Sequence, residues 1–135
     1  MKPELVYLDS SALVKLVVRE EESDALRSFV AANAAAVTSA VAVTEVRRAI
    51  GRLSTRRALS DRVRLVLDGV ALLAVDADVL ERAARLAPSE LRTLDAIHVA
   101  SALSIKADLL AFVTYDERQR AAARKAGLPL VQPGA

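Results

Sequence analysis

The sequence predicts an α/β domain with a mostly parallel sheet. Short runs of aliphatic and β-branched residues recur along the chain, and the segments between them carry apolar residues at helical spacing. Strands that alternate with helices are typical of parallel sheets. The chain has 135 residues, of which 53% are hydrophobic and 27% charged. That length and composition predict a single domain, residues 1–135, that can bury a hydrophobic core.

The predicted sheet contains about five short strands. Each candidate is a brief run with high β-propensity, bounded by polar or helical sequence. These runs are Leu5–Leu8, Ala36–Ser39, Ala71–Val75, Leu109–Thr114 and Pro129–Val131.

Seven segments between these runs are predicted to be helical. The sixth is apolar nearly all round and should therefore be buried. Gly127 is expected to cap the last helix, and the three glutamates 20–22 are expected to form an acidic first turn of the second. The segments are one beginning near Ala12, Glu21–Ala32, one carrying the stripe Val43 to Leu53, Leu59–Leu67, Val79–Leu86, Ala96–Ile105 and Glu117–Ala126.

Composition excludes several kinds of site. The chain has no cysteine, which excludes disulfides, zinc–thiolate sites and thiol nucleophiles. A single histidine, His98, excludes metal sites built from several histidines. No apolar run approaches the roughly 20 residues of a membrane span, and the first strand begins too early for a signal peptide. We therefore expect a cytoplasmic protein that does not enter membranes.

Four acidic residues stand where a parallel sheet binds ligands, outside the carboxyl ends of its strands. Asp9 follows the first strand and Asp116 follows the fourth. Asp95 opens the buried helix, and Glu45 lies in the first turns of the helix after the second strand. We expect all four side chains at the same edge of the sheet.

Each aspartate taken alone is most simply a helix N-cap. However, Ser10 and Ser11 are able to cap the first helix, and Thr93 the buried one, without a charge. Four carboxylates in one cleft would raise each other's pKa unless a cation neutralised them. Oxygen ligands without histidine or cysteine select Mg²⁺ or Mn²⁺. Such an ion in a cleft is usual equipment for phosphodiester hydrolysis.

The four carboxylates lie in sequence motifs that resemble a known family. Asp9 lies in Y-L-D-S-S-A-L, Glu45 in T-E-V-R-R-A, Asp95 in L-D-A-I-H-V-A-S-A-L, and Asp116 in V-T-Y-D-E-R. In this order and at these separations they resemble the PIN domain, and more narrowly the VapC ribonuclease toxins of bacterial toxin–antitoxin pairs. The resemblance covers essentially the whole chain. It implies a three-layer α/β/α sandwich and an endoribonuclease that depends on Mg²⁺ or Mn²⁺.

The resemblance also implies roles and partners. Asp9, Asp95 and Asp116 would be metal ligands, and Glu45 would bind metal directly or through water, or orient the attacking water. Hydroxyl groups would support this metal shell, at Ser10 or Ser11 and at Thr114. The expected partners are a structured RNA such as transfer or ribosomal RNA, a cognate antitoxin that occludes the cleft, and a second copy in a homodimer.

Three further residues have two interpretations each. His98 is most simply a buried, hydrogen-bonded structural histidine, and the alternative is a contact to the site from behind the carboxylates. Arg48 and Arg52 lie on the Glu45 side of their helix. They form either a solvated face or contacts to RNA phosphates, which would make affinity depend on salt. Aromatic residues make up only 3% of the chain, so base stacking is a poor mechanism for RNA recognition here.

Other proteins also carry an aspartate after the first strand. A phosphatase of the haloacid dehalogenase type needs a second aspartate two residues on, where this chain has Ser11. A phosphoacceptor receiver domain needs an acidic pair near the first strand and a lysine after the last, and neither is present. The sequence leaves open a PIN-like module that binds RNA or protein without cleaving.

Overall fold

The structure, a computed structural model, describes residues 4–33 and 35–135. Five strands form one sheet in the order β3-β2-β1-β4-β5, and every strand pairing within it is parallel. The predicted strands are confirmed, with β3 and β4 ending slightly earlier than expected. Their bounds are β1 (Leu5–Leu8), β2 (Ala35–Ser39), β3 (Ala71–Leu73), β4 (Leu109–Val113) and β5 (Leu130–Val131).

All seven predicted helical segments are helices. The last one ends at Lys125 with Ala126 as its C-cap, and Gly127, the expected cap, follows directly; its positive φ of 81° allows the Leu128 N–H to reach back to the Ala123 carbonyl at 3.0 Å. Their bounds are α1 (Ser10–Val17), α2 (Ser23–Ala32), α3 (Val41–Leu53), α4 (Arg57–Asp68), α5 (Ala77–Ala84), α6 (Thr93–Ser104) and α7 (Glu117–Lys125). Among the residues that the structure describes, no helix is long and apolar enough to cross a membrane.

The expected acidic first turn of the second helix is wrong. Helix α2 begins at Ser23, so Glu20 and Glu21 precede it and Glu22 stands at its N-cap position. Lys15 instead attracts these charges, with its Nζ 3.6 Å from a Glu20 oxygen and 3.2 Å from a Glu22 oxygen.

Helices cover both faces of the sheet. Alternate residues of β1 point to opposite sides: Val6 and Leu8 pack with α1, α2, α3 and α4, whereas Tyr7 packs with α6 and α7. Helix α5 packs against α6 through Val79. The result is the three-layer α/β/α sandwich that the resemblance implies. Helix α6 is buried all round from Ala96 to Ala102, as its composition predicts.

The strand order places a topological switch point beside β1. The chain proceeds from β1 through β2 to β3 on one side, and β4 and β5 lie on the other. Ligands of open parallel sheets bind at such points, outside the carboxyl ends of the strands. Asp9 follows β1 and Asp116 follows β4, so the two neighbouring strands direct both aspartates to this edge.

Candidate active site

A cavity of about 340 Å³ lies at the switch point. All four predicted carboxylates line it, from the ends of two strands and the first turns of two helices. The complete lining is Asp9, Ser10, Ser11, Glu45, Arg92, Thr93, Leu94, Asp95, His98, Asp116 and Gln119.

Asp9 is buried, with 3% of its surface exposed, and it is held by hydrogen bonds on both carboxylate oxygens. Its Oδ1 accepts from the Ala12 N–H at 3.0 Å and from the Ser11 hydroxyl at 2.6 Å. Its Oδ2 accepts from the Thr114 hydroxyl at 2.5 Å, across the gap between β1 and β4. Asp9 is therefore itself the N-cap of α1, as the simplest interpretation of its position predicts, and the alternative cap at Ser10 or Ser11 is not used.

Burial raises the pKa of Asp9 above its ordinary value. His98 and the hydrogen bonds from Ser11, Thr114 and the Ala12 backbone oppose the shift but do not cancel it. An ionised carboxylate so far from water is costly without a neighbouring positive charge. A cation in the cavity would relieve this cost.

Glu45 reaches the same cavity from helix α3. Its Oε1 accepts from the Ser10 hydroxyl at 2.7 Å and from Nε2 of His98 at 2.6 Å. Burial acts to raise the pKa of Glu45, yet the hydrogen bond and charge of His98, together with the Ser10 hydroxyl, hold it below its usual value. Glu45 is thus kept ionised at the rim of the cavity.

His98 connects Glu45 to the core. Its ring is 1% exposed, and Nδ1 lies 2.7 Å from the Tyr7 hydroxyl. Because Glu45 is ionised, Nε2 must carry a proton and donate it to that hydrogen bond. When the ring is neutral, Nδ1 accepts from the phenol, whose pKa burial raises; when the ring is protonated, Nδ1 donates to the phenol oxygen and the ring charge acts on Glu45. The interpretation of His98 as purely structural is therefore incomplete, since it orients a carboxylate of the site.

Asp95 and Asp116 are arranged differently. Asp116 caps α7 by accepting from the N–H groups of Arg118 at 2.9 Å and Gln119 at 3.1 Å. Asp95 lies in the first turn of α6, whose N-cap position is occupied by Arg92, and the Arg92 side chain does not cap the helix N–H groups. Thr93 is the first residue of that helix, so the alternative in which it caps α6 is not used.

Arg92 bridges these two aspartates. Its Nε donates to Asp95 Oδ2 at 3.2 Å, and its Nη2 lies 3.7 Å from Asp116 Oδ2. The side chain is 60% exposed, so the bridge is loosely held. The site thus has a hydroxyl-supported half, Asp9 and Glu45, and an arginine-bridged half, Asp95 and Asp116.

The donor set fits a hard divalent cation. Among the described residues, no three acidic or histidine side chains are already close enough together to hold a metal. However, four carboxylates face one cavity, and a guanidinium bridges two of them where an ion would balance their charge. The buried Oε1 of Gln119, which also lines the cavity, has no hydrogen-bond partner among the described residues.

Comparison with known proteins identifies the family of this chain. Residues 6–125 match the PIN domain family. The chain is 48% identical to ribonuclease VapC46 of Mycobacterium tuberculosis, with 95% of this chain and 97% of the relative aligned. The chain belongs to the PIN-domain family of VapC ribonucleases. It is also 38% identical to ribonuclease VapC47 of the same species, over 97% of this chain and 98% of the relative. PIN-domain ribonucleases depend in general on metal ions.

Solved structures share the PIN-domain fold of this VapC-family chain. VapC20 of M. tuberculosis, a toxin that cleaves the sarcin–ricin loop, superimposes with a TM-score of 0.73 at 21% identity, covering 95% of this chain and 99% of that one. VapBC2 of Rickettsia felis, solved bound to a promoter DNA fragment, also gives a TM-score of 0.73, at 13% identity over 96% and 98% of the two chains.

Sequence reasoning missed two residues at this VapC-type site. Arg92 directly precedes the D-A-I-H helix, and that position was its available signal. Gln119 lies one turn after Asp116, so helical spacing places it on the same face. Conversely, Arg48 and Arg52 are exposed on α3 and do not line the cavity.

Proposed function

We propose that this protein is an endoribonuclease toxin that hydrolyses RNA phosphodiester bonds with a divalent cation and is neutralised by a cognate antitoxin. The observation that supports this most is the meeting of Asp9, Glu45, Asp95 and Asp116 at one cavity in a chain of the VapC family. RNA carries its negative charge on the phosphate group that contains the bond to be broken. A cation held among carboxylates attracts that phosphate and activates it for hydrolysis.

The proposed metal ligands are Asp9, Asp95 and Asp116, with Glu45 bound directly or through a water molecule. Oxygen ligands favour Mg²⁺, with Mn²⁺ as an effective substitute. When bound, the ion supplies positive charge for the phosphate oxygens and lowers the pKa of a water.

The protein's own groups have separate tasks. Ser11 and Thr114 hold both oxygens of Asp9 in place, and Ser10 and His98 hold one oxygen of Glu45. Fixed ligands of this kind lose little freedom when the ion arrives. The other oxygen of Glu45 is left to accept a proton or orient a water. Arg92, once released from the aspartates, supplies a positive charge for an RNA phosphate.

Membership of the family supports a proposal about partners and location. Relatives include toxins solved with antitoxins, such as a toxin–antitoxin complex from Klebsiella pneumoniae with a TM-score of 0.67 at 20% identity. We propose that an antitoxin covers this cavity, that the toxin forms a homodimer, and that it acts on transfer or ribosomal RNA in the cytoplasm. Arg48 and Arg52 remain candidates for contacts to RNA phosphates beyond the cavity.

The test is RNA cleavage by the purified protein with Mg²⁺, with EDTA, and after Asp9→Asn. We expect cleavage only by the wild type with Mg²⁺, and a loss of roughly a thousandfold in the variant, equivalent to about 4 kcal/mol.

Asp76→Asn is the matched control. Asp76 follows β3 and caps α5 with the same geometry, accepting from the Val79 N–H at 2.9 Å, but it lies outside the cavity. It should cleave like the wild type. Equal cleavage by wild type and Asp9→Asn would contradict the mechanism and indicate a contaminating nuclease. Absence of cleavage of any cellular RNA would favour a PIN-like module that binds without cutting.

A further inference from the structure

A second cavity, of about 470 Å³, adjoins the carboxylate cavity. It lies between the segment leading into α6 and the outer face of α7. The two cavities share Arg92 and Asp95, which form the wall between them. Its size is in the range of pockets that bind small organic molecules.

The lining of this second cavity combines an apolar floor with a basic rim. Leu91, Ala121 and Ala122 provide apolar surface, and Arg118 and Lys125 stand at the rim. Arg118, Ala121, Ala122 and Lys125 follow helical spacing along one face of α7. The pocket therefore offers apolar contact area and positive charge along one line that leads away from the carboxylates.

The rim cations are available to a ligand. Neither Arg118 nor Lys125 forms a salt bridge with any residue that the structure describes, and both are exposed. Of the two acidic residues in the lining, Asp95 is already paired with Arg92, and Glu90 alone opposes the rim. The unpaired charge at this cavity is thus net positive, in contrast to the acidic cavity beside it.

We propose that the second cavity binds the nucleotide of the RNA that flanks the scissile bond, its base against Leu91 and Ala122 and its phosphate against Arg118 and Lys125. This inference rests on the proposed function. An RNA whose scissile phosphate lies among the carboxylates must leave that cavity in some direction, and the Arg92 wall opens onto unpaired cations. Aliphatic contact suits a base without demanding a particular sequence, since the described lining has no aromatic side chain for stacking.

The test measures binding of a short, fluorescein-labelled, mixed-sequence RNA by polarisation in EDTA, where cleavage is prevented. The double variant Arg118→Ala/Lys125→Ala should weaken binding about tenfold at low salt. It should also reduce the slope of log Kd against log salt by about 0.7, because the single phosphate held by both cations contributes about 0.7 on a single strand. Ala121→Trp, which fills the pocket and keeps its charge, should weaken binding as well.

Arg124→Ala is the matched control, because Arg124 is exposed on the same helix and does not line the pocket. Arg124→Ala should change the slope of log Kd against log salt by less than the roughly 0.7 that one phosphate contact contributes. Unchanged binding in the double and Ala121→Trp variants, or an equal loss in Arg124→Ala, would overturn the proposal.

Cleavage by the wild type with Mg²⁺ separates the two proposals. If the wild type cleaves RNA while the pocket variants bind and cleave normally, the pocket assignment fails and the ribonuclease function stands. If the pocket variants lose RNA binding as expected but the wild type never cleaves, the pocket assignment holds and the ribonuclease function fails.

Discussion

The two halves of the carboxylate site are built in opposite ways. In the hydroxyl-supported half, Asp9 and Glu45 are held by buried or half-buried hydroxyls and by His98, whose positions are fixed by the core. In the arginine-bridged half, Asp95 and Asp116 both face the long side chain of Arg92, which is 60% exposed. On the proposed function, the first half would need little rearrangement to bind an ion, whereas the second would have to release the Arg92 guanidinium first.

The largest expected contrast is in stability. Asp9→Ala should unfold about 2 kcal/mol more easily than Asp9→Asn, because alanine removes the cap of α1 and leaves the buried Thr114 hydroxyl without its acceptor. The same pair at Asp95 should differ by less than about 0.5 kcal/mol, since the partner of that carboxylate among the described residues is the exposed Arg92. Urea unfolding in EDTA measures both. Equal differences at the two positions would remove the distinction between the halves.

The second contrast concerns the support of Glu45. His98→Leu keeps the volume but removes the donor to Glu45 Oε1, and should lower the cleavage rate by about 10- to 100-fold. His98→Gln, whose amide N–H donates in a similar direction, should restore part of the rate. Mn²⁺ affinity should decrease in the same order, from the wild type through His98→Gln to His98→Leu. A purely structural role of His98 would not produce this order. If His98→Leu and His98→Gln both fold and cleave like the wild type, Glu45 does not need the hydrogen bond from His98.

The third contrast is in pH dependence. The folded-state pKa of Asp9 is raised, so the folded protein keeps this proton to higher pH than the unfolded chain does. Wild-type stability therefore falls, relative to Asp9→Asn, as the pH rises above about 4, the ordinary range for aspartate. The pKa of Glu45 is lowered, so its contribution has the opposite sign and is lost as the pH falls.

Urea unfolding of the wild type, Asp9→Asn and Glu45→Gln across this pH range in EDTA measures both contributions. As the pH rises toward neutral, the free energy of unfolding of Asp9→Asn should increase relative to the wild type, whereas that of Glu45→Gln should decrease. If the difference in free energy of unfolding between the wild type and Asp9→Asn stayed constant across this pH range, burial would not disfavour the Asp9 charge.

The smallest expected effect is at the bridge itself. Arg92→Gln should raise Mn²⁺ affinity by no more than about fivefold, because the guanidinium competes with the ion and an exposed ion pair is worth at most about 1 kcal/mol. Isothermal titration calorimetry measures the change. A fall in affinity would show that Arg92 organises the aspartates rather than competing for them.

The sequence predicts the fold and the position of the four carboxylates at one edge of the sheet, because periodicity and strand ends are local signals. Asp9 and Asp116 follow directly from their strands, and the parallel sheet brings them together. The same local signals left the cap of α1 open between Asp9 and the serines, which are all good N-cap residues, and the structure shows that Asp9 accepts from the Ala12 N–H.

Contacts that depend on distant packing were not predictable. The bond from His98 to Glu45 joins residues on α6 and α3 and requires the ring to be aimed by Tyr7 from β1. Arg92 reaches Asp116 only because α6 and α7 are neighbours on one face of the sheet. No spacing within one helix reveals either contact.

The most direct test of the account is whether one divalent ion needs both halves of the site. Calorimetric titration of Mn²⁺ into the wild type, Asp9→Asn, Asp116→Asn and the control Asp76→Asn addresses this. Both site variants keep an oxygen to cap their helices, so the folds should be retained. The account predicts at least a tenfold loss of affinity in Asp9→Asn and in Asp116→Asn, and none in Asp76→Asn. Wild-type affinity in either site variant would contradict it.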